Sequence, residues 1–310
     1  MTEKRAASPI TIEGVALHLA HPDELPIRWV GQSETLKQLL AAWSVVNERD
    51  LPMNPRLLGK PGVGKTTLAY AAGQARGQDV YIFQATMDTR PEDLLITPVI
   101  DREGGIRYVA SSLVTAMIRG GVAIVDEGNR MSEKSWASLA PLLDNRRYVE
   151  SIVAGVKVRA HADFRFVATM NDDASTYELP EYIHSRLQPQ IQLDFPEHDE
   201  EKAILAENLP FADDAILEYV TEFLQAAHEA DERFTARDGI NIARYALKRL
   251  KDGGPASTDA ALRDAVEHVV GSDALRYLYG KGDTPRAVQD NRLGQVWASK
   301  PPATPSSKGL

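Results

Sequence analysis

Two patterns of apolar positions alternate along the first part of this chain, and each predicts its own kind of element. Apolar residues at three- and four-residue steps predict helices at 65–76, 111–119, 132–143 and 181–187, and one that begins at Ser33. Short continuous apolar runs predict strands at 56–59, 80–84, 122–125, 164–169 and 190–193. The predicted fold class is therefore α/β, with a parallel sheet flanked by helices.

The pattern changes after Pro196, where no strand-like run follows. Helical periodicity predicts helices at 198–208, 213–230, 237–251, 258–270 and 273–279. From position 281 the chain is polar and rich in proline, which is typical of a linker. The sequence thus predicts an N-terminal arm (1–25), an α/β domain (26–196), a small all-α domain (197–280) and a polar C-terminal tail (281–310).

Two stretches interrupt the alternation of strands and helices. Residues 90–109 contain two prolines and two adjacent glycines, and they separate the second predicted strand from the helix that precedes the third. Residues 147–160 are predicted to form a β-hairpin that turns near Gly155. Because loops at the rim of a rigid sheet commonly contact partners, both stretches are candidate contact surfaces.

Composition narrows the classes of function. The formal net charge is −9, which argues against a protein that coats nucleic acid through its overall charge. The chain has no cysteine, so disulfides, thiolate metal sites and cysteine nucleophiles are excluded. No continuous apolar run is long enough to span a membrane. We therefore expect a soluble, cytoplasmic protein.

A glycine-rich segment fits the pattern GxxxxGK[ST] and lies between a predicted strand and a predicted helix. In that context backbone amides surround phosphates, the lysine reaches the β- and γ-phosphates, and the hydroxyl binds Mg²⁺. ATP and Mg²⁺ are the expected cofactors. The predicted nucleotide-binding residues of this segment are Gly59, Lys60, Pro61, Gly62, Val63, Gly64, Lys65, Thr66 and Thr67.

Polar residues end two further predicted strands. Asp126 and Glu127 follow the apolar run 122–125, and Asn171 follows the run that begins at Phe164. Asp126 is expected to bind Mg²⁺ together with Thr66, and Glu127 to act as general base on a water molecule. Small-molecule kinases of this fold do not need the second acid, so Glu127 favours hydrolysis over transfer to a substrate.

Taken in order, these motifs resemble AAA+ ATPases, and within them the MoxR group, which includes the CbbQ, NirQ and GvpN types. The similarity covers about 28–250. The segments that carry it are Val30-Gly31-Gln32, 59–66, 126–130, the hairpin 147–160, Phe164 to Asn171, Ser185-Arg186-Leu187 and Thr235-Ala236-Arg237.

The resemblance implies a homo-oligomeric ring, expected to be hexameric, with ATP between subunits and the all-α domain as a lid. Val30 and Gly31 would line the adenine side, and Asn171 would be the sensor on the fourth strand. Arg186 would be the finger offered to a neighbouring subunit, with Arg130, Arg146 and Arg147 as rivals. Arg237 would be the lid arginine that senses the nucleotide.

Two positions depart from the family's usual pattern. Gly128 stands where an apolar residue is usual, and Ile96 where a glycine is usual. Gly128 is expected to loosen the turn after the two acids, and Ile96 to alter the inserted stretch.

Two functions remain open at this level. The first is an ATP-driven remodeller of a protein client, reached through an adaptor with a von Willebrand A domain, as the resemblance implies. The alternative is a nucleic-acid motor of the branch-migration or restriction-associated type, which the negative net charge disfavours. Stimulation of hydrolysis by DNA, with a steep salt dependence, would distinguish the second from the first.

Overall fold

The computed structural model describes residues 9–26, 28–101, 103–172, 179–253, 255 and 257–278. The strands, in chain order, are β1 (Ile10–Ile12), β2 (Val15–His18), β3 (Arg56–Gly59), β4 (Val80–Gln84), β5 (Ile96–Ile100), β6 (Ile106–Ala110), β7 (Val122–Asp126), β8 (Tyr148–Ser151), β9 (Val156–Arg159), β10 (Arg165–Asn171) and β11 (Gln190–Gln192). The α-helices are α1 (Ser33–Ala42), α2 (Lys65–Ala75), α3 (Pro91–Leu94), α4 (Ser112–Arg119), α5 (Glu133–Leu139), α6 (Glu181–His184), α7 (His198–Asn208), α8 (Asp214–Glu229), α9 (Ala236–Lys251) and α10 (Thr258–Val270).

The central sheet has five strands in the order β11–β3–β10–β7–β4, and every pairing within it is parallel. Successive residues of β7 point to opposite faces. Val122 and Ile124 join the core beneath α1 and α2, whereas Ala123 and Val125 join the core beneath α4 and α5. Burial on both faces explains the continuous apolar runs, and it confirms the predicted parallel sheet flanked by helices.

The register of the sheet brings three strand ends together. Asn171 pairs with Gly59, and Ala168 pairs with Val125, the residue before Asp126. The carboxyl ends of β3, β7 and β10 therefore lie at one edge of the sheet. Ligands bind at this edge in open α/β folds.

A second sheet has the order β1–β2–β6–β5. The sequence predicts no element within 1–25, but a hairpin forms there, with Glu13 and Gly14 at positive φ in the turn. Leu17 of β2 is fully buried and pairs with Tyr108 of β6. The description of residues 10–18 as an arm without regular structure is therefore wrong, since this hairpin extends the inserted stretch into a sheet.

The inserted stretch is more regular than its prolines and glycines suggest. It contains α3 and the antiparallel pair β5 and β6. Ile96 begins β5, pairs with Ala110 and is buried. The departure at Ile96 thus supplies an apolar anchor at the base of this hairpin.

The predicted hairpin at 147–160 is confirmed as β8 and β9, which pair antiparallel. Gly155 has a φ of 65°, as its position in the turn requires. At the tip Ile152 is 93% exposed, although the strands below it bury Val149 and Val158. An exposed isoleucine on an otherwise anchored hairpin is available to a partner.

The region after Pro196 has a core of its own, formed by α7, α8, α9, α10 and a final 3₁₀ segment. This confirms the helices predicted at 198–208, 213–230, 237–251 and 258–270. In place of the helix predicted at 273–279, the structure has a 3₁₀ helix at Ser272–Tyr277, and the described residues end at 278. The predicted tail 281–310 lies outside the described residues. Among the residues that the structure describes, no helix is long and apolar enough to cross a bilayer.

Candidate active site

The glycine-rich loop leaves β3 and enters α2 at Lys65. Gly62 and Gly64 have φ values of 87° and 97°, which only glycine adopts without strain. A Cβ on Gly59 would overlap the carbonyl oxygen of Leu193, next to the edge strand β11. The loop is therefore fixed in a conformation in which backbone amides surround an anion at the start of a helix.

The ammonium of Lys65 is folded into this loop. Its Nζ donates hydrogen bonds to the carbonyl oxygens of Gly59 at 2.9 Å and Lys60 at 2.8 Å. The residue is only 6% exposed. A buried lysine held by carbonyls at the mouth of an anion-binding loop has a positive charge that a phosphate group can engage.

Asp126, at the end of β7, receives two hydroxyl groups on the same oxygen. Thr66 Oγ1 donates to Asp126 Oδ1 at 2.6 Å, and the hydroxyl of Thr169 also donates to Oδ1. Carboxylate and hydroxyl oxygens are the hard ligands that Mg²⁺ prefers, usually with phosphate oxygens and water in the other positions. No group of three or more acidic or histidine side chains within the described ranges forms a complete metal site. The donor set therefore fits a Mg²⁺ ion that a phosphate helps to hold.

Glu127 lies directly beyond, with its backbone in the left-handed region at φ 56°. Its amide donates to Thr169 Oγ1 at 3.1 Å. Both carboxylate oxygens have neighbours: Arg130 Nε lies 2.8 Å from Oε2, and Asn171 Nδ2 donates to Oε1 at 3.4 Å. The carboxylate is thus held at the sheet edge, where a general base for a water molecule would be needed.

Asn129 connects the ends of two strands. Its Nδ2 donates to the carbonyl oxygen of Asn171 at 2.7 Å, and its Oδ1 accepts from the Asn171 amide at 3.3 Å. The sequence predicts no function for Asn129. Its only signal is its place three residues after a strand that ends in acids. The structure shows that it fixes the backbone from which the Asn171 side chain projects.

The turn after Glu127 is closely packed. The expectation that Gly128 loosens it is not what the structure shows, because the indole of Trp136 fills the space a side chain would need. A Cβ on Gly128 would lie 3.0 Å from Trp136 Cζ2. Trp136 Nε1 also donates to the Gly128 carbonyl oxygen at 3.2 Å. A large side chain in α5 thus replaces the apolar residue that is usual at position 128.

A cavity of about 310 Å³ lies between the loop and the all-α region. Five segments line it: one before α1, the glycine-rich loop with the start of α2, one before α7, α7 itself, and α9 with its N-cap. The lining residues include Arg28, Trp29, Val30, Gly62, Val63, Gly64, Thr67, Phe195, Ile204, Asn208, Thr235, Arg237, Ile240, Asn241 and Arg244. Predicted residues from three distant parts of the sequence, Val30, Thr67 and Arg237, therefore meet at one cavity.

Two close contacts at glycines join this part of the α/β region to the all-α region. A Cβ on Gly62 would lie 2.7 Å from Thr235 Oγ1, so the loop packs directly against the residue that caps α9. Gly31 does not line the cavity. It packs against Glu200 of α7, where a Cβ would lie 2.9 Å from Cδ. Gly31 thus permits close approach of α7 rather than forming the wall itself.

Arg186 lies elsewhere, in a separate cavity of about 330 Å³ that Leu51, Met53, Asp144 and Arg147 also line. Its Nη1 donates to the carbonyl oxygen of Tyr182 at 2.6 Å, and its Nη2 lies 3.6 Å from Asp144 Oδ2. Within one chain, therefore, Arg186 does not share a cavity with the glycine-rich loop.

Arg146 and Arg147, two of the predicted rivals of Arg186, are engaged locally. Arg146 pairs with Asp144 at 2.8 Å, and its hydrogen bonds lower the pKa of that carboxyl to about 2. Arg147 donates to the Phe164 carbonyl oxygen at 3.1 Å, and burial lowers its pKa. The third rival, Arg130, pairs with Glu127. Arg130 and Arg146 each lie 2.8 Å from a carboxylate oxygen, whereas Arg186 lies 3.6 Å from the carboxylate of Asp144.

Comparison with known proteins agrees with this geometry. Residues 56–187 match the family model described as AAA domain, dynein-related subfamily. The chain is similar to the RuvB Holliday junction branch migration motor of Thermotoga maritima, at 19% identity and a TM-score of 0.53, over 77% of this chain and 70% of that one. A mutant structure of the same motor gives 19% identity and a TM-score of 0.55 over 79% and 73%.

The fold is that of AAA+ P-loop NTPases. In sequence, the chain is also similar to an uncharacterized protein of Staphylococcus haemolyticus strain JCSC1435. The two are 27% identical over 227 residues, which is 71% of this chain and 84% of that protein. The region that matches this family model extends from the start of β3 to the residue after Arg186, so it contains the glycine-rich loop, both acids and Asn171.

Several residues at the candidate site have no signal in the sequence. Thr169 is an ordinary strand residue there, yet its hydroxyl contacts Asp126 and the Glu127 amide. Trp29 reaches the cavity by packing against Gly64, and Asn241 and Arg244 reach it because the all-α region packs over the loop. A local sequence pattern cannot predict a cavity wall that contains residues from both the α/β region and the all-α region.

Proposed function

We propose that this protein is a Mg²⁺-dependent AAA+ ATPase that converts ATP and water to ADP and phosphate. The observation that carries the proposal is the meeting of Lys65, Thr66, Asp126, Glu127 and Asn171 at one sheet edge, through the contacts described above. An anion-binding loop, a hard-ligand pair and a positioned carboxylate together supply what hydrolysis of a nucleoside triphosphate requires.

Each residue has a defined task in this reaction. The loop amides and Lys65 would bind the β- and γ-phosphates, and Thr66 with Asp126 would hold Mg²⁺, which neutralises phosphate charge when bound. Glu127 would accept the proton of the attacking water, after its contact with Arg130 gives way to that water. The Asn171 amide, 3.4 Å from Glu127, would orient the same water.

The direct test uses purified protein, ATP and magnesium buffer. Calorimetry should detect ATP binding, and a phosphate assay should detect turnover. Lys65→Ala should abolish binding of the triphosphate, because the loop then lacks the charge that reaches the phosphates. If the wild-type protein binds neither ATP nor GTP at millimolar concentration, the proposed function is wrong.

We further propose that the active form is a homo-oligomeric ring, with six subunits expected, in which Arg186 reaches the γ-phosphate bound by a neighbour. Arg186 lies outside the nucleotide cavity of its own chain. Leu51 and Met53, which line the same cavity as Arg186, are 41% and 48% exposed. An apolar rim around a cation suits burial against a second subunit. Sedimentation of the ATP-bound protein measures this assembly directly.

The substrate of the ring is proposed to be a protein client of the MoxR-like kind, engaged through an adaptor with a von Willebrand A domain. Two hairpins support a protein contact. Ile152 at the β8–β9 tip is 93% exposed, and Ile100 and Ile106 in the β5–β6 hairpin are 77% and 67% exposed. Exposed isoleucines favour an apolar peptide or protein surface over a phosphate backbone.

The alternative is a nucleic-acid motor, because the fold is shared with a protein named as a branch migration motor. The charges on the β8–β9 hairpin argue against it. Lys157 lies 3.8 Å from Glu150, and Arg146 pairs with Asp144 at 2.8 Å. Cations engaged in this way are less available to phosphates. Turnover stimulated by DNA, and losing that stimulation steeply with salt, would favour the motor over the remodeller.

A trapping experiment identifies the client. Glu127→Gln should bind ATP without consuming it, so the ring should remain in the state that holds its partner. Capture that depends on ATP and is lost in Glu127→Gln/Ile152→Asp supports contact through the hairpin. Capture of DNA instead of protein would replace the first proposal with the alternative.

A further inference from the structure

The lining of the proposed nucleotide cavity combines two chemically different kinds of group. The first is formed by the glycine-rich loop and by Thr235, which lie in contact. The lining also includes an apolar group, Trp29, Ile204 and Ile240, together with two amide side chains. A phosphate group suits the first kind, and a flat base suits an aromatic and aliphatic wall.

Helix α9 runs along this cavity and spaces its polar residues regularly. Arg237, Asn241 and Arg244 all line the cavity, at intervals of four and three residues. Such positions lie within about 60° of one another around a helix, and they rise by about 6 Å and about 10 Å from the first. Because α9 begins beside Gly62, Asn241 lies one turn farther from the phosphate loop than Arg237.

The two amides of the cavity differ in availability. Asn208 Nδ2 donates to the Ile204 carbonyl oxygen at 2.8 Å, so its donor is used within α7. Among the described residues Asn241 has no hydrogen-bond partner, and both its donor and its acceptor are free. A free amide next to an apolar wall is suited to the edge of a nucleobase that carries a donor and an acceptor side by side.

Trp29 supplies the opposing surface. A Cβ on Gly64 would lie 3.0 Å from Trp29 Cζ3, so the indole lies against the start of α2. Its Nε1 is buried and has no partner in the described part of the chain, which leaves the ring positioned by packing alone. No hydrogen bond of the indole therefore competes with the stacking of a base on this ring.

We propose that Asn241 is a specificity-determining residue that binds the edge of adenine, with Trp29 as the aromatic wall. This inference rests on the proposed function of the same site. The Asn241 oxygen accepts a hydrogen bond from the 6-amino group of the base, and the amide nitrogen donates to an adjacent ring nitrogen. Arg237, one turn earlier on α9, then lies toward the phosphates of the same molecule.

The test compares ADP with purine riboside diphosphate, which has hydrogen in place of the 6-amino group and is not consumed by hydrolysis. Calorimetry on the full chain should give a Kd for ADP about five- to tenfold lower, as one hydrogen bond to the Asn241 oxygen would provide. In Asn241→Leu the two Kd values should differ by no more than about twofold, because the contact with the ring nitrogen is lost for both ligands and the contact with the 6-amino group is lost for ADP alone. Lys248→Leu, which introduces the same side chain farther along α9 and outside the cavity, should alter neither Kd.

Each outcome has one meaning. Equal Kd values for the two diphosphates on the wild-type protein would overturn the reading of the base edge by Asn241. Equal weakening of both by Asn241→Leu would do the same, because the residue would then only shape the cavity. In either case nucleotide binding itself would stand. Failure of the wild-type protein to bind ADP and ATP alike would instead remove the proposed function. Quenching of tryptophan fluorescence by ADP, lost in Trp29→Leu, is expected for the aromatic wall, and unchanged quenching would exclude Trp29 from it.

Discussion

Thr66 Oγ1 lies 2.6 Å from Asp126 Oδ1 and donates its proton to that oxygen, although the two residues are 60 positions apart. Because the proton points to the carboxylate, the lone pairs of the hydroxyl remain available to a cation. Thr169 of β10 also donates a hydrogen bond to Asp126, so the carboxylate is held from both α2 and β10. The proposed magnesium ligands are thus already in contact with each other, which would reduce the cost of ordering them around an ion.

Glu127→Gln should separate binding from chemistry. Glutamine keeps the shape and can still accept from Asn171, which lies 3.4 Å from Oε1. It is a far weaker base, so turnover should fall by about a hundredfold or more. ATP affinity, measured by calorimetry, should change little. Unchanged phosphate release in the variant would rule out Glu127 as the base.

Arg186→Ala and Lys65→Ala should complement each other in mixed rings. Each variant alone should be nearly inactive, because one lacks the finger and the other lacks an intact pocket. Mixing them creates interfaces in which a native Arg186 faces a native Lys65. Partial recovery of turnover on mixing is therefore expected.

Arg146→Ala serves as the matched control for this mixing experiment. It removes a neighbouring arginine that pairs with Asp144 at 2.8 Å and lies near Arg186. The Arg146→Ala variant should hydrolyse ATP by itself, with no second variant mixed in. If mixed rings assemble, as sedimentation would report, yet recover no activity, Arg186 is not the finger.

Gly128→Ala should lower the thermal midpoint of unfolding. The added methyl would lie 3.0 Å from Trp136 Cζ2, so the indole or the turn must shift, at a cost of about 1–3 kcal/mol. In a Trp136→Leu background the same change should cost less, because the smaller side chain leaves room. Equal losses in both backgrounds would show that the contact does not restrict position 128.

Glu201→Gln should change how stability depends on pH. Glu201 is fully buried, and burial raises the pKa of its carboxyl to about 7 from the usual 4.5. The unfolded chain loses this proton at lower pH than the folded one, so the wild type loses stability as pH rises from about 4.5 through about 7. The variant has no such proton, and its oxygen can still accept from Gln225, which donates to Glu201 at 2.8 Å.

Denaturant unfolding at several pH values measures this effect. The advantage of the variant over the wild type should grow between pH 5 and pH 8, up to about 3 kcal/mol at most. Burial lowers the pKa of the neighbouring His228. This shift makes the folded protein less stable as the pH falls below the usual pKa of histidine, and the effect is common to the wild type and the variant. A difference that stays constant with pH would contradict the assignment to Glu201.

The parts of the fold that the sequence predicts are those with a local pattern. The strand at Val122 is buried on both faces, so it reads as a continuous apolar run. The sequence does not predict the hairpin formed by Ile10–Ile12 and Val15–His18, because its strands are short and half-buried. It is completed only by the pairing of Leu17 with Tyr108, far along the chain. Long-range pairing of this kind leaves no periodic signal.

The candidate site divides in the same way. Lys65, Asp126 and Asn171 could be predicted because each belongs to a motif at the end of a strand. Asn241 could not, because its place in the cavity depends on how α9 packs against the loop, through Gly62 and Thr235. The position of Gly31 against Glu200 is a similar case, since the motif identifies the residue but not the helix that approaches it.

Gly59 has a consequence for the whole assembly proposed above. Any side chain there would meet the carbonyl oxygen of Leu193, whose own amide donates to Leu58 at 2.8 Å. A single methyl group would act as a wedge between β3 and the edge strand β11. In the sequence, Arg186 lies shortly before β11, and Phe195, which lines the proposed nucleotide cavity, lies shortly after it. The absence of a side chain at Gly59 thus permits the close contact with Leu193 that holds this stretch, between Arg186 of the proposed subunit interface and Phe195 of the proposed nucleotide site.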